Sequence, residues 1–130
     1  MIETRPDWCV SRQRVWGVPL PIFINKKTGE ILIDNEVFDN IAKIYEKEGS
    51  DCWFSDDPQK FLGNKYKAED FEKLSDIVEV WFDSGSTHSF VLEKRKDLKW
   101  PASMYLEGSG QHRGWFHSSL SLIHISEPTR

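Results

Sequence analysis

The sequence has little cysteine and no long apolar run, and each absence excludes a class of protein. Its only two cysteines, Cys9 and Cys52, are too far apart to form a CxxC pair, so we interpret them as buried or inert thiols in a reducing compartment. No apolar run approaches the roughly 18 residues of a membrane span, and the acidic start MIETRPDW is not typical of a signal peptide. We therefore expect a cytoplasmic chain that makes no contact with membranes.

An excess of basic charge is also absent. The net charge is −4, which excludes nucleic-acid binding through a broad basic face but leaves local basic sites open. With 38% hydrophobic and 29% charged residues the composition is typical of a folded domain, and 130 residues correspond to one small domain or a piece of a larger one. The six tryptophans are many for this length, and such side chains either fill a core or line a ligand pocket.

The first third of the chain predicts a helix followed by a hairpin. Asp7 is a suitable N-cap for a short helix that ends near Gly17. Residues 18–24 then form a predicted edge strand, because the two prolines within them cannot donate to a neighbouring strand. The turn sequence NKKTGE and the apolar residues 31–33 complete the predicted hairpin.

The middle of the chain predicts a helix within a charged insertion. Apolar residues recur at helical spacing between positions 36 and 48, with Asp34 or Asn35 as the N-cap and Gly49 at the end. A shorter helix is predicted to open at the proline of SDDPQ, and the charged residues after it are expected at the surface. We interpret residues 25–75 as an insertion on the edge of another domain.

The last third predicts two buried strands and a helix around a turn of small residues. The apolar run at 77–82 ends in DSGS, a second strand is predicted at 101–108, and a helix at 111–123. The residues of this helix predicted to face inward are Trp115, Phe116, Leu120 and Ile123. Ligands of open α/β sheets bind where strand ends meet helix starts, and glycines at such a turn let a ligand approach the backbone. A turn and a helix cap alone would explain the same residues without a ligand.

Three blocks carry the most distinctive residues: RPDWCVSRQRVWGVPLPIF, VWFDSGSTHSFV and YLEGSGQHRGWFHSSL. They resemble the isoleucyl-tRNA synthetases, class I enzymes that join isoleucine to its tRNA, and they come in the order of that family. SRQRxWG alone is shared with the leucyl and valyl enzymes, whereas WFDSGSTH and YLEGSxQHRGWF resemble the isoleucyl members specifically.

The resemblance implies an α/β fold, in which the chain forms part of a Rossmann-like class I catalytic domain with a small α+β insertion. Residues 1–24 would follow the family's inserted editing domain, residues 25–75 would be a second, connective insertion, and residues 76–120 would carry the adenylate site. Residues 121–130 do not continue the family's helix and are typical of cloning or adapter-derived sequence, so we interpret them as a non-native tail.

The activity implied by the resemblance has two steps. ATP and isoleucine give isoleucyl-adenylate and pyrophosphate, and the acyl group then passes to a ribose hydroxyl at the 3′ end of tRNA(Ile). ATP with Mg²⁺ is a substrate of the full enzyme, which is expected to be a monomer. The family's HIGH and KMSKS motifs are absent from this sequence, so no catalytic residue is assigned to it and we expect the segment to be inactive alone. Some relatives hold zinc with cysteine pairs near this segment, and because this sequence has no such pair we predict that it binds no metal.

The resemblance assigns binding roles to five residues. Glu107 matches a position that contacts the aminoacyl-adenylate, where its carboxylate would pair with the substrate's ammonium group or accept from a hydroxyl. Gly108 matches the small residue against which the adenylate lies. Gln111 matches a residue that binds the adenylate near the amino-acid pocket. Trp81 and Trp115 match the two aromatic walls of this pocket. The alternative for both tryptophans is a place in the core, and for Glu107 a surface or capping role.

Other polar residues have two interpretations each. Arg12 and Arg14 either meet tRNA or phosphate, or they form salt bridges. Asp83 is either functional or a turn-forming residue. His112 and His117 are five positions apart and would lie on different faces of a helix, so we do not expect them to share a metal.

One departure from the family pattern concerns the adenylate site. Where the family reads Gly-Ser-Asp-Gln, this chain has Gly110 at the Asp position. The loss of a carboxylate beside the adenylate puts full activity in doubt, and an error in the sequence would have the same appearance.

Two other functions are alternatives to a piece of this enzyme. A stand-alone, non-catalytic module would bind an adenylate or a partner, but a half-sheet would leave exposed strand edges, which are an aggregation hazard. A ligase for valine or leucine does not fit EGSxQHRGWF, which those groups do not resemble.

Overall fold

The structure is a computed structural model that describes residues 6–126, and these residues fall into two compact units. One unit spans residues 11–78, and the other combines residues 6–10 with residues 79–126. We call them the 11–78 unit and the 79–126 unit. Within residues 6–126, no helix has the length and apolar character needed to cross a membrane.

The 11–78 unit contains two antiparallel sheets of two strands each. Its strands are β1 (Ser11–Arg12), β2 (Phe23–Asn25), β3 (Phe71–Lys73) and β4 (Ile77–Val78). Its helices are α1 (Asn35–Glu48), α2 (Cys52–Ser55) and α3 (Pro58–Leu62), with a 3₁₀ turn at Ala68–Asp70. β1 pairs with β4, and β2 pairs with β3 so that Phe23 lies opposite Lys73.

A cluster of buried apolar side chains holds the 11–78 unit together. The ring of Trp53 lies 5.0 Å from that of Phe23 and 5.1 Å from that of Phe61, measured between centroids. α1 contributes Val37 and Ile41, which are four residues apart and therefore share one face of the helix. Elements this short are not stable alone, so their shared apolar cluster accounts for most of their stability.

The ends of α1 and α3 confirm two predictions. Asp34 is the N-cap of α1, with its carboxylate accepting an amide of the first turn at 2.9 Å, and Gly49 ends the helix at φ 82°. α3 begins at Pro58, and its N-cap Asp57 accepts a hydrogen bond from a backbone amide at 2.7 Å.

The short helix α2 was not predicted. The charged stretch after α3 is not all surface, because Phe71 within it is buried.

For the first third of the chain, the helix prediction is wrong and the hairpin prediction is confirmed in part. No helix follows Asp7 within the described residues, since β1 pairs with β4 more than sixty positions along the chain. The predicted hairpin over 18–33 forms over a shorter stretch, where Ile24 bridges to Ile31 and the Leu32 amide donates to the Phe23 carbonyl at 2.9 Å. The residues before β2 pair with a different segment, since Pro19 bridges to Ile77 and the Leu20 amide donates to the Asp76 carbonyl at 2.9 Å.

The 79–126 unit is built around two helices, α4 (Val80–Gly85) and α5 (Trp115–Ser126). A π-helical turn at His88–Leu92 and a 3₁₀ turn at Ser109–His112 lie between them in sequence. Gly85 lies at the helix contact, where a Cβ would stand 2.8 Å from Leu122 Cδ1 and 3.3 Å from Ser119 Cα. A glycine at this position therefore lets the two helices approach closely.

The predicted strand at 77–82 is correct only for its first two residues. β4 ends at Val78. Glu79 then caps α4, because its carboxylate accepts a hydrogen bond from the Trp81 amide at 2.9 Å. An apolar run of this length does not distinguish a strand from a helix, and here the capping carboxylate favours the helix.

The predicted strand at 101–108 does not form. It has no strand partner within residues 6–126, and Met104 and Leu106 are 76% and 86% exposed. A strand requires a neighbour for its backbone groups, so an apolar sequence alone does not produce one.

The predicted helix at 111–123 is displaced toward the C-terminus. It begins at Trp115, and the 3₁₀ turn takes its first positions. Trp115, Phe116 and Ile123 are half-buried, whereas Leu120 is exposed and not inward-facing. Serines are buried in its place, and Ser119 lies on the side toward Gly85, where the close approach of the helix backbones favours a small side chain.

Candidate functional site

The site residues predicted from the sequence all lie in the 79–126 unit, on α4, on α5 and in the segment before α5. α4 carries Trp81 and Ser84 three positions apart, so both side chains lie on one face of this helix. Glu79 fixes the start of the helix through its hydrogen bond to the Trp81 amide. Trp81 remains 39% exposed, so part of this residue is available to a ligand.

Trp115 is anchored by two hydrogen bonds at the start of α5. Its indole N–H donates to Ser84 Oγ at 2.8 Å, and its backbone N–H donates to Gln111 Oε1 at 3.0 Å. The Ser84 hydroxyl in turn donates to the carbonyl of Val80 at 2.9 Å. Because the hydroxyl proton is used on Val80, its lone pairs are left to accept from the indole.

Gly114 brings Trp81 to the start of α5. A Cβ at this position would lie 2.9 Å from Trp81 Cη2 and 2.9 Å from Gln111 Oε1. Any larger residue would have to displace the indole or the amide, so the glycine allows Trp81 and Gln111 to approach the backbone together.

Gln111 closes the turn that leads into α5. Its backbone N–H donates to Gly108 O at 3.0 Å, and its carbonyl accepts from the Gly114 amide at 3.1 Å. With the bond from Oε1 to the Trp115 amide, this residue links the turn to the first residue of the helix. Its Nε2 group carries two N–H donors, which suit a carbonyl or carboxylate oxygen of a ligand.

Glu107 and the glycines beside it lie at the surface. Glu107, Gly108 and Gly110 are exposed, and a Cβ built on either glycine would meet no atom within 4 Å. This open space can admit a ligand, and it can equally admit a side chain at position 110. The structure brings Trp81, Gln111 and Trp115 together around Gly114, while Glu107 lies on the exposed segment before them.

Three further residues belong to the same cluster but were not singled out from the sequence. The ring of Tyr105 lies 5.5 Å from that of Trp115, and burial raises the pKa of its hydroxyl. Ser84 and Gly114 are the other two. The only available signal was the repeated pairing of a small residue with a tryptophan in WFDSG and RGWF, which does not show that the two meet.

Comparison with known proteins identifies the family. The family described as "tRNA synthetases class I (I, L, M and V)" matches residues 1–127. The chain belongs to the class I tRNA synthetases. It is similar to the isoleucine–tRNA ligase of Pelagibacter ubique (strain HTCC1062), with 83% identity over 120 residues that make up 92% of this chain and 13% of that relative.

Two more distant relatives carry the same name. The isoleucine–tRNA ligase of Caldicellulosiruptor saccharolyticus is 58% identical over 125 residues, which cover 92% of this chain and 14% of the relative. That of Zymomonas mobilis subsp. mobilis is 55% identical over 120 residues, which cover 92% of this chain and 13% of the relative. The synthetase chain therefore spans a small fraction, 13–14%, of the length of these curated relatives.

Arg12, Asp83 and His112 of this synthetase chain have surroundings that the structure describes. Arg12 Nη1 donates to the Ser11 carbonyl at 2.7 Å. Asp83 lies in α4, so its interpretation as a turn-forming residue is wrong, and burial raises the pKa of its carboxyl group. The His112 ring lies 6.3 Å from that of Phe116. None of these contacts points to a ligand.

One group of side chains in the 11–78 unit has the composition of a metal site. Oxygen and sulfur atoms of Glu48, Cys52 and Asp56 lie within 4.8 Å of one another. Lys60 Nζ lies 2.6 Å from Glu48 and 2.7 Å from Asp56, so one ammonium group already forms ion pairs with both carboxylates. Burial raises the pKa of the Cys52 thiol, which disfavours the thiolate that a metal requires. That the segment binds no zinc stays a prediction.

The two cysteines differ in their surroundings. Cys52 is buried, as expected, and its thiol donates to the Gly49 carbonyl at 3.0 Å. Cys9 is exposed, so for this residue only the alternative of an inert thiol remains, and it stays a prediction.

Proposed function

We propose that this chain is part of the catalytic domain of an isoleucine–tRNA ligase, which activates isoleucine with ATP and transfers it to tRNA(Ile). The observation that supports this most directly is the 83% identity, over 92% of the chain, to a relative named isoleucine–tRNA ligase. An identity this high leaves little room for a change of amino-acid substrate. The blocks WFDSGSTH and YLEGSxQHRGWF, which include all five predicted site residues, support the same substrate.

The proposed architecture is a partial Rossmann-like domain interrupted by a small insertion. Residues 1–24 and 76–120 would belong to the catalytic domain, residues 25–75 to the connective insertion, and residues 121–130 to a non-native tail. The separate apolar cluster of the 11–78 unit supports an inserted body with its own core.

The proposed amino-acid pocket is lined by Trp81 and Trp115. Isoleucine offers only a branched aliphatic side chain, so its recognition depends on apolar area and shape, which two rigid indoles provide. The partial exposure of Trp81 and the anchoring of the Trp115 indole support this role, because one ring is accessible and the other is held in a fixed orientation.

The polar end of the substrate would be bound by the segment before α5. The carboxylate of Glu107 would pair with the α-ammonium group of isoleucine or accept from a ribose hydroxyl of the adenylate. Gly108 would let the adenylate lie against the backbone, and the Nε2 group of Gln111 would donate to a carbonyl oxygen of the ligand. The open space at Gly108 and the two N–H donors that a glutamine Nε2 carries support these roles.

ATP would enter with Mg²⁺ as a substrate of the whole enzyme, and the metal would neutralise phosphate charge during the attack of the isoleucine carboxylate at phosphorus. The residues of this chain would position the amino acid and the adenylate rather than take part in proton transfer. The enzyme would act as a cytoplasmic monomer with isoleucine, ATP and tRNA(Ile) as its ligands.

Isoleucine-dependent exchange between ATP and labelled pyrophosphate tests this function in the full-length enzyme that contains the segment. We expect exchange with isoleucine and much weaker exchange with valine or leucine at equal concentration. Equal exchange with leucine, or none with any amino acid, would contradict the proposal. Binding of a non-hydrolysable isoleucyl-adenylate analogue without exchange would favour the non-catalytic binding module.

A further inference from the structure

The hydrogen bond between Ser84 and Trp115 joins the two helices of the 79–126 unit at the proposed amino-acid pocket. The residues are 31 positions apart, and the indole N–H lies 2.8 Å from Ser84 Oγ. An indole N–H can only donate, so a partly buried one requires an acceptor in a fixed place. The Ser84 hydroxyl is itself fixed, because it donates to the Val80 carbonyl one turn earlier in α4.

The same helix face also carries the second indole. Trp81 and Ser84 are three residues apart on α4, so their positions relative to each other are set by one helical turn. Trp115 is therefore positioned by Ser84, a residue of the same helix that carries Trp81. Gly114 admits Trp81 against the start of α5, at the residue next to Trp115.

We propose that Ser84 is a positioning residue, which sets the orientation of the Trp115 indole relative to Trp81 and so the width of the isoleucine pocket. The substrate in this proposal rests on the proposed function, whereas the orientation of Trp115 depends only on the contacts within the 79–126 unit. Ser84 would not touch isoleucine and would act through the indole.

Loss of the Ser84 hydroxyl would raise KM for isoleucine more than KM for ATP. In Ser84→Ala the indole N–H has no acceptor, and the ring is free to rotate toward water to find one. A hydrogen bond of this kind has a net value that corresponds to roughly a two- to tenfold change in an equilibrium constant, so we expect KM for isoleucine to rise by about that factor. KM for ATP and the thermal unfolding midpoint should change little.

Two matched variants separate positioning from packing. Ser84→Thr keeps the hydroxyl and should restore KM for isoleucine. Ser119→Ala removes a buried hydroxyl from the same helix contact, where Ser119 is 4% exposed and its hydroxyl donates to the Gly85 carbonyl at 3.5 Å. This variant should leave KM for isoleucine unchanged.

The experiment is ATP–pyrophosphate exchange in the full-length enzyme, with isoleucine and ATP each varied in turn. A rise in KM for isoleucine alone, reversed by threonine, supports the proposal. An unchanged KM in Ser84→Ala, or an equal loss for both substrates together with a lower unfolding midpoint, overturns it.

A second measurement does not depend on the enzymatic function. In protein labelled with ¹⁵N-tryptophan, the indole N–H resonance of Trp115 is assigned by its absence in Trp115→Phe. Ser84→Ala should shift this resonance and speed its hydrogen exchange, while the resonance of Trp53, which donates to the Leu74 carbonyl at 2.8 Å, should stay in place. An unmoved Trp115 resonance would overturn the positioning role even if exchange with isoleucine is confirmed. Absent exchange together with a shifted resonance would contradict the proposed function alone.

Discussion

Gly114 lies so close to the indole of Trp81 that a Cβ at this position would stand 2.9 Å from Cη2 and 3.3 Å from Cζ2. Both distances are shorter than ordinary carbon–carbon contacts, which begin near 3.5 Å. The glycine is therefore part of the packing between α4 and the start of α5. Its backbone requires no unusual φ, so the demand for glycine at this position is steric rather than conformational.

Gly114→Ala should impair isoleucine activation through this contact. The added methyl group displaces the Trp81 indole or the Gln111 amide, and overpacking of this kind costs about 1–3 kcal/mol. We expect kcat/KM for isoleucine in the full-length enzyme to fall by roughly five- to a hundredfold. Gly110→Ala is the matched control, because a Cβ there meets no atom within 4 Å, and it should not lower the unfolding midpoint. Similar kinetics in wild type and Gly114→Ala would show that Trp81 is not part of the pocket.

Glu107→Ala should lower isoleucine-dependent exchange by about ten- to a hundredfold. A hydrogen bond to a charged group contributes about 1.5–3 kcal/mol, and this variant removes the carboxylate proposed to make it. Glu93→Ala removes another exposed carboxylate of the same unit and should have no effect. Unchanged exchange in Glu107→Ala would remove this residue from the site.

Glu107→Gln distinguishes the two proposed partners of this side chain. An amide oxygen still accepts from a ribose hydroxyl, but it no longer pairs with an ammonium group. Activity as low as that of the alanine variant would therefore indicate the ammonium of isoleucine. Activity near wild type would indicate the hydroxyl.

Gly110→Asp should raise the activity of the full-length enzyme if the loss of the family's carboxylate at this position has impaired adenylate binding. The structure offers room for it, because a Cβ at position 110 meets no atom within 4 Å and the residue does not have a positive φ. We expect kcat/KM for isoleucine to rise by roughly tenfold, the effect of one charge-assisted hydrogen bond. Gly110→Asn, which adds a side chain of similar shape without the charge, should produce a smaller gain. Equal activity in all three proteins would show that the position tolerates glycine.

Asp34 should make the stability of α1 depend on acid pH. Its carboxylate accepts from Lys65 and from the Tyr66 hydroxyl, and these bonds lower its pKa from 3.8 to about 2. A carboxyl group with a lowered folded pKa stabilises the fold above its unfolded pKa, and this stabilisation is lost as the pH falls through the folded pKa. We therefore expect stability to decline between about pH 4 and pH 2.

Thermal unfolding of the chain, followed by circular dichroism, measures this effect. Asp34→Asn keeps a capping side chain but has no charge to lose, so its melting temperature should be lower than that of the wild type near pH 6 and similar to it near pH 2. Asp39→Asn, the same change at an exposed position of α1, should leave the difference between wild type and variant small at both pH values. A constant gap between Asp34→Asn and wild type across this range would contradict the proposed linkage.

Local chemistry determined the elements that the sequence predicted correctly. α1 has its N-cap at Asp34, its apolar residues at helical spacing and its stop at Gly49, all within one stretch of chain. α3 has Asp57 and Pro58 side by side at its start. The family was also evident from the sequence, because its distinctive blocks are short and contiguous, and they include all five predicted site residues.

Distant contacts decided the rest. β1 exists because it pairs with β4, more than sixty positions away, and no local signal in SRQR specifies that partner. The apolar run after β4 becomes α4 because Glu79 caps it, a choice that periodicity alone leaves open. The contacts of Ser84 with Trp115 and of Gly114 with Trp81 connect segments about thirty positions apart. The sequence by itself therefore determined the family and the candidate residues, whereas only the tertiary structure decided how the indoles are held, since packing depends on which distant surfaces meet.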